Sequence, residues 1–135
     1  MPSQWTTLQV DGSPMRTYVS SPDRSGLFPP VVVAMQMTGV DGFLRDRCDS
    51  LAEAGYVIAA PYFYHRPTKR SMEALHSLAT DDPRRLEWGF STEAKLVDSE
   101  VAVDVDAALA LLLGLPSVGN GPAGITGFCI GACIA

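Results

Sequence analysis

The sequence lacks the features that mark membrane proteins, secreted proteins and nucleic-acid-binding proteins. Nowhere do 18 apolar residues run together, so a transmembrane helix, which needs about 20, is not expected. Ten Lys and Arg residues stand against fifteen Asp and Glu residues, giving a net charge of −5. No basic cluster could neutralise a run of phosphates, and nucleic acid is not an expected partner. The first residues show no charged region followed by an apolar one, so we expect a soluble, cytoplasmic protein.

Cysteine is also scarce, and its spacing argues against structural uses of thiols. Cys48, Cys129 and Cys133 are the three cysteines, an odd number without a CxxC pair. Free thiols are therefore expected rather than a disulfide framework or a zinc site. No bound metal is predicted.

The segments that are present alternate between strand and helix patterns. A content of 47% hydrophobic and 19% charged residues over 135 positions is typical of one globular domain. Residues 5–10 and 15–20 are β-prone runs on either side of Asp11-Gly12-Ser13-Pro14, which predicts an N-terminal hairpin. The apolar, β-branched run at residues 31–35 predicts a central parallel strand that is covered on both faces.

A helix and a second buried strand are predicted next. Asp41 is expected to cap the helix and Gly55 to end it. Arg45 and Asp49 are expected to pair on the outer side of this helix. Residues 56–60 predict the second buried strand, which completes a right-handed βαβ unit. The inner face of the helix is expected to carry Leu44, Cys48 and Leu51.

The last third of the chain predicts a long amphipathic helix at residues 93–113. A loop rich in Gly and Pro separates it from a third apolar strand at residues 123–128. The predicted fold class is α/β, doubly wound, with its sites at the carboxyl ends of the strands. The apolar stripe of the helix is expected to hold Ala94, Val97, Val101, Val105, Ala108, Leu109 and Leu112, opposite Glu93, Glu100 and Asp104.

Cys129 follows the third apolar strand and stands between Gly127 and Gly131. A nucleophile on a tight strand-to-helix turn needs tiny residues two positions before and after it, because strand and helix crowd together there. A helix N-terminus favours the thiolate, and the backbone N–H of Ile130 would point at an oxyanion. The pattern predicts a catalytic nucleophile. Two alternatives stay open: a small buried hydrophobe beside close-packing glycines, or a redox or metal pair with Cys133.

A family resemblance rests on this motif and on three further segments. Gly127-Phe128-Cys129-Ile130-Gly131-Ala132 resembles the G-[YF]-C-x-G-G nucleophile elbow of dienelactone hydrolases (carboxymethylenebutenolidases). Residues 31–40 resemble that family's strand and Glu-x-x-Gly-Val loop, and residues 45–57 and 60–66 resemble its first helix and the strand and loop after it. The resemblance implies an α/β-hydrolase fold, with a mostly parallel sheet and an N-terminal hairpin. It also implies ester or lactone substrates, a Cys-His-Asp triad and no cofactor.

The resemblance also implies roles for individual residues. The Cys129 thiolate would attack the substrate carbonyl, and the backbone N–H groups of Ile130 and Met37 would stabilise the oxyanion. The sequence departs from the family in the loop after the first buried strand, where Gln36 stands at the position of a glutamate. An amide cannot accept the thiol proton, so its expected role is to orient or hydrogen-bond. Other departures are Tyr62, in place of the aspartate usual after the strand-ending proline, and Ala132, in place of the last glycine of the motif.

The triad Asp and His of the family come after the nucleophile, and this chain ends six residues past Cys129. We therefore expect residues 1–135 to be the N-terminal portion of a single dienelactone-hydrolase-like domain, truncated after the elbow. Neither triad partner can be named in this chain, and the fragment alone is not expected to hold a complete triad. The unpaired edge of its last strand would offer a route to self-association.

Candidate substrate contacts are weaker predictions. Tyr64, in the aromatic loop after the second buried strand, is a candidate pocket residue, with ordinary packing as the alternative. Arg84 is a candidate for holding a substrate carboxylate, as arginines do in dienelactone hydrolases, with a solvated position as the alternative. His65 and His76 are more typical of solvated loop positions than of a catalytic base. Two other hypotheses for the whole chain are a non-catalytic relative, suggested by Gln36, and a flavodoxin-like binding module.

Overall fold

The computed structural model describes residues 3–35, 39–65 and 97–127. In this part of the chain, five strands form one sheet in the order β1-β2-β4-β3-β5. The strands are β1 (Ser3–Val10), β2 (Ser13–Ser20), β3 (Pro30–Ala34), β4 (Val57–Pro61) and β5 (Gly124–Gly127). The helices are α1 (Gly42–Ala54), α2 (Asp98–Leu113) and a short 3₁₀ turn at Phe63–His65.

The N-terminal hairpin forms where the sequence predicts it. β1 and β2 pair antiparallel, with Val10 opposite Ser13. The two turn residues both have positive φ, 52° at Asp11 and 73° at Gly12. Two such residues define the type I′ turn, whose twist matches that of the paired strands. The prediction from Asp11-Gly12 is confirmed.

The middle of the sheet is parallel and buried, as predicted. β4 lies between β2, which runs antiparallel to it, and β3, which runs parallel. β3 also pairs in parallel with β5 on its other side. All five residues of β4 are buried, as are Val32, Val33 and Ala34 of β3. Continuous apolar runs of this kind are typical of strands covered on both faces.

Helix α1 begins and ends at the predicted residues. The Asp41 side chain accepts a hydrogen bond from the Leu44 N–H at 3.0 Å, and Gly55 adopts a left-handed φ of 112°. Leu44 and Cys48 are buried as expected. The third buried position is Ala52, whereas Leu51, predicted there, is only partly buried and packs at the margin of the core.

The expected ion pair on α1 is wrong. Among the residues that the structure describes, no ion pair joins Arg45 to Asp49; instead, Arg45 Nε donates to the Asp41 carbonyl at 3.3 Å. Asp49 turns toward β2, where its Oδ1 accepts from Tyr18 Oη and from Ser20 Oγ, each at 2.9 Å. Two neutral hydroxyl donors on the sheet thus take the place of the predicted cation.

Helix α2 confirms the predicted helix over its described part, but its inner face differs from the predicted stripe. The buried residues are Val101, Asp104, Ala108 and Leu112. Asp104, predicted on the polar side, is fully buried, and Val97, predicted in the stripe, is 48% exposed at the N-cap. Residues 93–96 of the prediction lie outside the described residues. Asp104 falls three residues after Val101 and four before Ala108, so helical geometry places it on the same face.

The two helices cover opposite faces of the sheet. In one apolar cluster, α1 residues pack with alternate positions of the central strands: Leu44 and Cys48 with Val33, Ile58 and Ala60. In the other, α2 residues pack with the intervening positions: Ala108 and Leu112 with Val32, Val57 and Ala59. The fold is therefore the predicted doubly wound α/β class.

Candidate active site at the carboxyl edge of the sheet

The parallel strands bring the predicted site segments to one edge of the sheet. β3 ends at Ala34 and β5 ends at Gly127, and these two residues are register partners. Adjacent parallel strands lie about 4.8 Å apart. The chain therefore leaves the sheet toward Gln36 and toward Cys129 from neighbouring points, two residues after each strand end.

Most of the predicted site residues lie outside the described part of the chain. These are Cys129, Gln36, Ile130, Met37, Gly131 and Arg84. Gly127 is described and is the last residue of β5; its role in an elbow stays a prediction. Tyr64 is described as well, and the roles of the others stay predictions.

The loop between β3 and α1 depends on a glycine. Gly39 has a φ of 86°, a conformation that side chains rarely adopt. A Cβ atom at this position would lie 2.9 Å from Cε2 of the Tyr62 ring. Backbone conformation and the closeness of that ring both require glycine at position 39, which is the glycine of the Glu-x-x-Gly-Val pattern in the resemblance.

The segment after β4, residues 62–65, is held by its backbone at several points. The Tyr62 N–H donates to the Arg16 carbonyl at 2.9 Å, the Phe63 N–H donates to Met35 Sδ at 3.4 Å, and Ser13 Oγ donates to the His65 carbonyl at 2.6 Å. These bonds attach the segment to β2, to the exit of β3 and to the start of β2. It is an anchored turn and not a free loop.

His65 and Asp104 form a buried pair that adds a fourth anchor. His65 Nε2 lies 2.9 Å from Asp104 Oδ1, and the two side chains are 1% and 0% exposed. The expectation that His65 is solvated is therefore wrong. Between an imidazole and an ionised carboxylate, such a bond has the ring nitrogen as donor, because the carboxylate can only accept. Nδ1 is buried and has no hydrogen-bond partner among the described residues.

The sequence held a signal for this pair that its interpretation missed. Asp104 occupies a helical position between two apolar residues of the inner face, and His65 leaves the strand that α2 covers. A buried carboxylate needs a hydrogen-bonding partner, and the imidazole supplies one. Nothing in the local pattern, however, shows that a histidine 39 residues earlier is that partner.

The aromatic residues of this segment pack inward. Phe63 is fully buried, and Tyr64 is 4% exposed within the core cluster that also contains Val40 and Val101. The rings of Tyr62 and Tyr64 meet edge to face, with centroids 6.0 Å apart. Contact between Tyr64 and a substrate stays a prediction, and the described surroundings of this ring are apolar packing.

The described cysteine has none of the properties of a nucleophile. Cys48 is fully buried on α1, and burial, followed by the charge of Asp49, raises the pKa of its thiol to about 12. Only thiolates react rapidly, so Cys48 is chemically quiet at neutral pH.

Residues 3–35, 39–65 and 97–127 contain no group of three or more His, Cys, Asp or Glu side chains that could hold a metal ion. No helix in the same part of the chain is both long and apolar enough to cross a membrane.

Comparison with solved structures defines the class of fold. A provisionally named dienelactone hydrolase from Klebsiella pneumoniae subsp. pneumoniae MGH 78578 superposes with a TM-score of 0.74 at 27% identity. The match covers 96% of this chain and 50% of that one. Together with the strand order and the edge hairpin, it shows an α/β-hydrolase fold. This excludes the flavodoxin-like module.

The family follows from the sequence itself. A model of the dienelactone hydrolase family matches residues 15–135, and the chain belongs to that family. Carboxymethylenebutenolidase from Pseudomonas putida is 29% identical over 126 residues, covering 93% of this chain and 50% of the relative. A provisionally named carboxymethylenebutenolidase from Synechocystis is 30% identical over 127 residues, covering 94% and 47%. The chain thus spans about half the length of the curated relatives that it matches.

Proposed function

We propose that this chain supplies the nucleophile of a dienelactone-hydrolase-type enzyme that cleaves a small ester or lactone. The observation that carries the proposal is the register of β3 and β5. Ala34 and Gly127 are partners at the carboxyl edge, so the segments bearing Met37 and Cys129 start side by side. Membership of the dienelactone hydrolase family supports the reaction class.

In the proposed reaction, the Cys129 sulfur attacks the carbonyl carbon of the substrate. The carbonyl π bond opens to an oxyanion, which the backbone N–H groups of Ile130 and Met37 stabilise. The oxyanion then collapses, the bond to the alcohol oxygen breaks, and a thioester remains on Cys129. Water hydrolyses the thioester and returns the thiol. We assign the triad Asp and His to no residue of this chain.

Gln36 distinguishes this chain from the family pattern. An amide neither takes up nor releases a proton at neutral pH, so Gln36 would hydrogen-bond to the thiol or to the substrate without activating it. Tyr64 and Arg84 are the proposed substrate contacts. The expected ligand is a small molecule; cytoplasmic location and self-association at the outer edge of β5 stay predictions.

Acyl transfer to each cysteine tests the proposal. The protein is incubated with p-nitrophenyl acetate and with dihydrocoumarin, and acyl adducts are located by peptide mass spectrometry. We expect a single adduct on Cys129, lost in Cys129→Ala and retained in the matched control Cys133→Ala. The raised pKa of Cys48 makes it an internal standard for a thiol that stays unmodified.

The opposite result is equally clear. If a folded protein carried no adduct on Cys129, or adducts spread over Cys129 and Cys133 alike, the nucleophile assignment would be wrong. Absence of acylation with normal folding would favour the non-catalytic relative, to which Gln36 points.

A further inference from the structure

The contact between the Tyr62 ring and Gly39 joins the two loops that leave the carboxyl edge from β4 and β3. A side chain at position 39 would meet ring atoms Cε2 and Cδ2 at 2.9 and 3.6 Å. The ring therefore lies directly against the backbone of Gly39. This close contact limits movement of the Gly39 backbone toward the ring.

The backbone that carries the Tyr62 ring is held at several points. Its N–H donates to the Arg16 carbonyl of β2 at 2.9 Å. At the end of the same segment, the His65 side chain is paired with the buried Asp104 at 2.9 Å, and its carbonyl accepts from Ser13 Oγ at 2.6 Å. The ring is thus carried by a segment fixed to both the sheet and α2.

The same segment also holds the chain on the other side of the predicted oxyanion residue. Met35, the first residue after β3, is fully buried, and its Sδ accepts from the Phe63 N–H at 3.4 Å. Met35 and Gly39 flank residues 36–38 in the chain. Two consecutive residues, Tyr62 and Phe63, therefore contact the two ends of the span that contains Gln36 and Met37.

We propose that Tyr62 is a positioning residue of the candidate hydrolase site. Its ring contacts Gly39 while the Phe63 N–H holds Met35, so the two described residues that flank Met37, the proposed oxyanion donor, are held from the same segment. The inference rests on the proposed function. Loss of one oxyanion donor costs about 10²- to 10³-fold in rate, and misplacement by about 1 Å can cost about 10²-fold.

Two reactions of the same cysteine test this role. With p-nitrophenyl acetate, sulfur attacks a carbonyl carbon, an oxyanion forms, and p-nitrophenolate leaves with the electrons of the broken C–O bond. With iodoacetamide, sulfur displaces iodide from an sp³ carbon, so an S–C bond forms, a C–I bond breaks, and no oxyanion arises. A donor that is out of place slows only the first reaction.

The variants are Tyr62→Ala, Tyr62→Leu and Tyr62→Phe, with Tyr56→Ala as the matched control, since Tyr56 is exposed and precedes β4. Rates at Cys129 are measured by mass spectrometry. We expect Tyr62→Ala to acylate about tenfold more slowly or worse, with alkylation changed by less than about twofold. Tyr62→Phe keeps the ring and should match the wild type, as should Tyr56→Ala. Tyr62→Leu restores much of the apolar volume that alanine removes. If its acylation rate at Cys129 is also reduced, the effect is due to the aromatic ring and not to lost volume.

The possible results separate the role of Tyr62 from the proposed function. Equal acylation rates in Tyr62→Ala and the wild type, or parallel losses in acylation and alkylation, would show that Tyr62 is merely structural and overturn the inference alone. A wild type that is alkylated at Cys129 but never acylated there would refute the proposed function, and the inference with it. Thermal unfolding followed by circular dichroism establishes that each variant is folded at the assay temperature. If Tyr62→Ala is not folded, the comparison of Tyr62→Leu with Tyr62→Phe decides in the same way.

Discussion

Asp49 on α1 and Asp104 on α2 are both predicted from the sequence to lie on the outer face of a helix. In the structure, both side chains face the sheet side and hydrogen-bond there. Asp49 is partly exposed and accepts from two neutral hydroxyl groups, Tyr18 and Ser20. Asp104 is fully buried and pairs with the imidazole of His65. Ser20 pairs with Ile58 near the start of β4, so the first aspartate lies toward the amino edge, whereas His65 follows the carboxyl end of β4.

The difference between the two regions lies in how strongly each depends on its partner. A partly exposed carboxylate can accept hydrogen bonds from water when a protein donor is lost, whereas a buried one has only its protein partners. The region next to the candidate site is therefore the more vulnerable of the two. Four predictions test or sharpen this comparison, from the largest effect to the smallest.

Replacing His65 by Leu should destabilise the protein most. The variant leaves a buried carboxylate without its imidazole, and breaking a buried pair costs about 3–5 kcal/mol. Urea unfolding followed by circular dichroism measures the change in the free energy of unfolding. The double variant His65→Leu/Asp104→Leu should recover most of the loss, because apolar replacement of both partners is often neutral. A loss under about 1 kcal/mol in His65→Leu would contradict the proposed importance of the pair.

Gly39→Ala tests the same region through the backbone. Positive φ and the Tyr62 ring both oppose a side chain there, so we expect a loss of about 1–3 kcal/mol in urea unfolding. Gly121→Ala is the matched control, because no atom of the described ranges lies within 4 Å of a Cβ at that position. That control should stay within about 0.5 kcal/mol of the wild type. Equal losses of unfolding free energy in Gly39→Ala and Gly121→Ala would contradict the requirement for glycine at position 39.

Alkaline pH should weaken the Asp49 region. The pKa of Cys48 is raised from 9.0 to about 12, and that of Tyr18 is raised from 10.0, chiefly by burial. The folded state thus retains protons that the unfolded state releases, so this stability is fully present below pH 9 and is lost as pH rises toward 12. Each such group adds a slope of about 1.4 kcal/mol per pH unit. Cys48→Ala should lower the slope between pH 9 and 10 in unfolding titrations, and an unchanged slope would contradict the assignment.

Asp49→Asn should have the smallest effect. The amide oxygen can still accept from Tyr18 and Ser20, so the loss is that of charge-assisted bonding at a partly exposed site, about 1 kcal/mol. The measurement is the same urea titration. A loss as large as that of His65→Leu would mean that the two aspartates are equivalent, and the comparison would fail.

The features that could be predicted from the sequence are those set by local chemistry. Asp11 and Gly12 can both adopt the positive φ that the hairpin turn needs. Asp41 and Gly55 cap the two ends of α1. The continuous apolar runs of β3 and β4 predict that both strands are buried. The order of these elements, together with the elbow motif, was enough to predict the α/β-hydrolase fold and the family.

The features that were missed depend on partners distant in sequence. The charge of Asp104 predicts a polar face, although its helical position points inward, and its partner His65 is 39 residues away in the sequence. The contact between Tyr62 and Gly39 depends on the path of the turn after β4, which the sequence pattern does not give. Ala52, four residues after Cys48, is buried on α1, whereas Leu51 is only partly buried beside the same core cluster.

The hydrogen bond at Met35, just after the end of β3, is weaker than the neighbouring bond from the Tyr62 N–H to a carbonyl oxygen. A thioether is a weak and polarisable acceptor, so it holds the Phe63 N–H less firmly than a carbonyl oxygen would. Met35 is fully buried, and oxidation of a thioether to the sulfoxide makes an apolar side chain polar. Oxidation at this one position should therefore disturb the contact between the exit of β3 and Phe63.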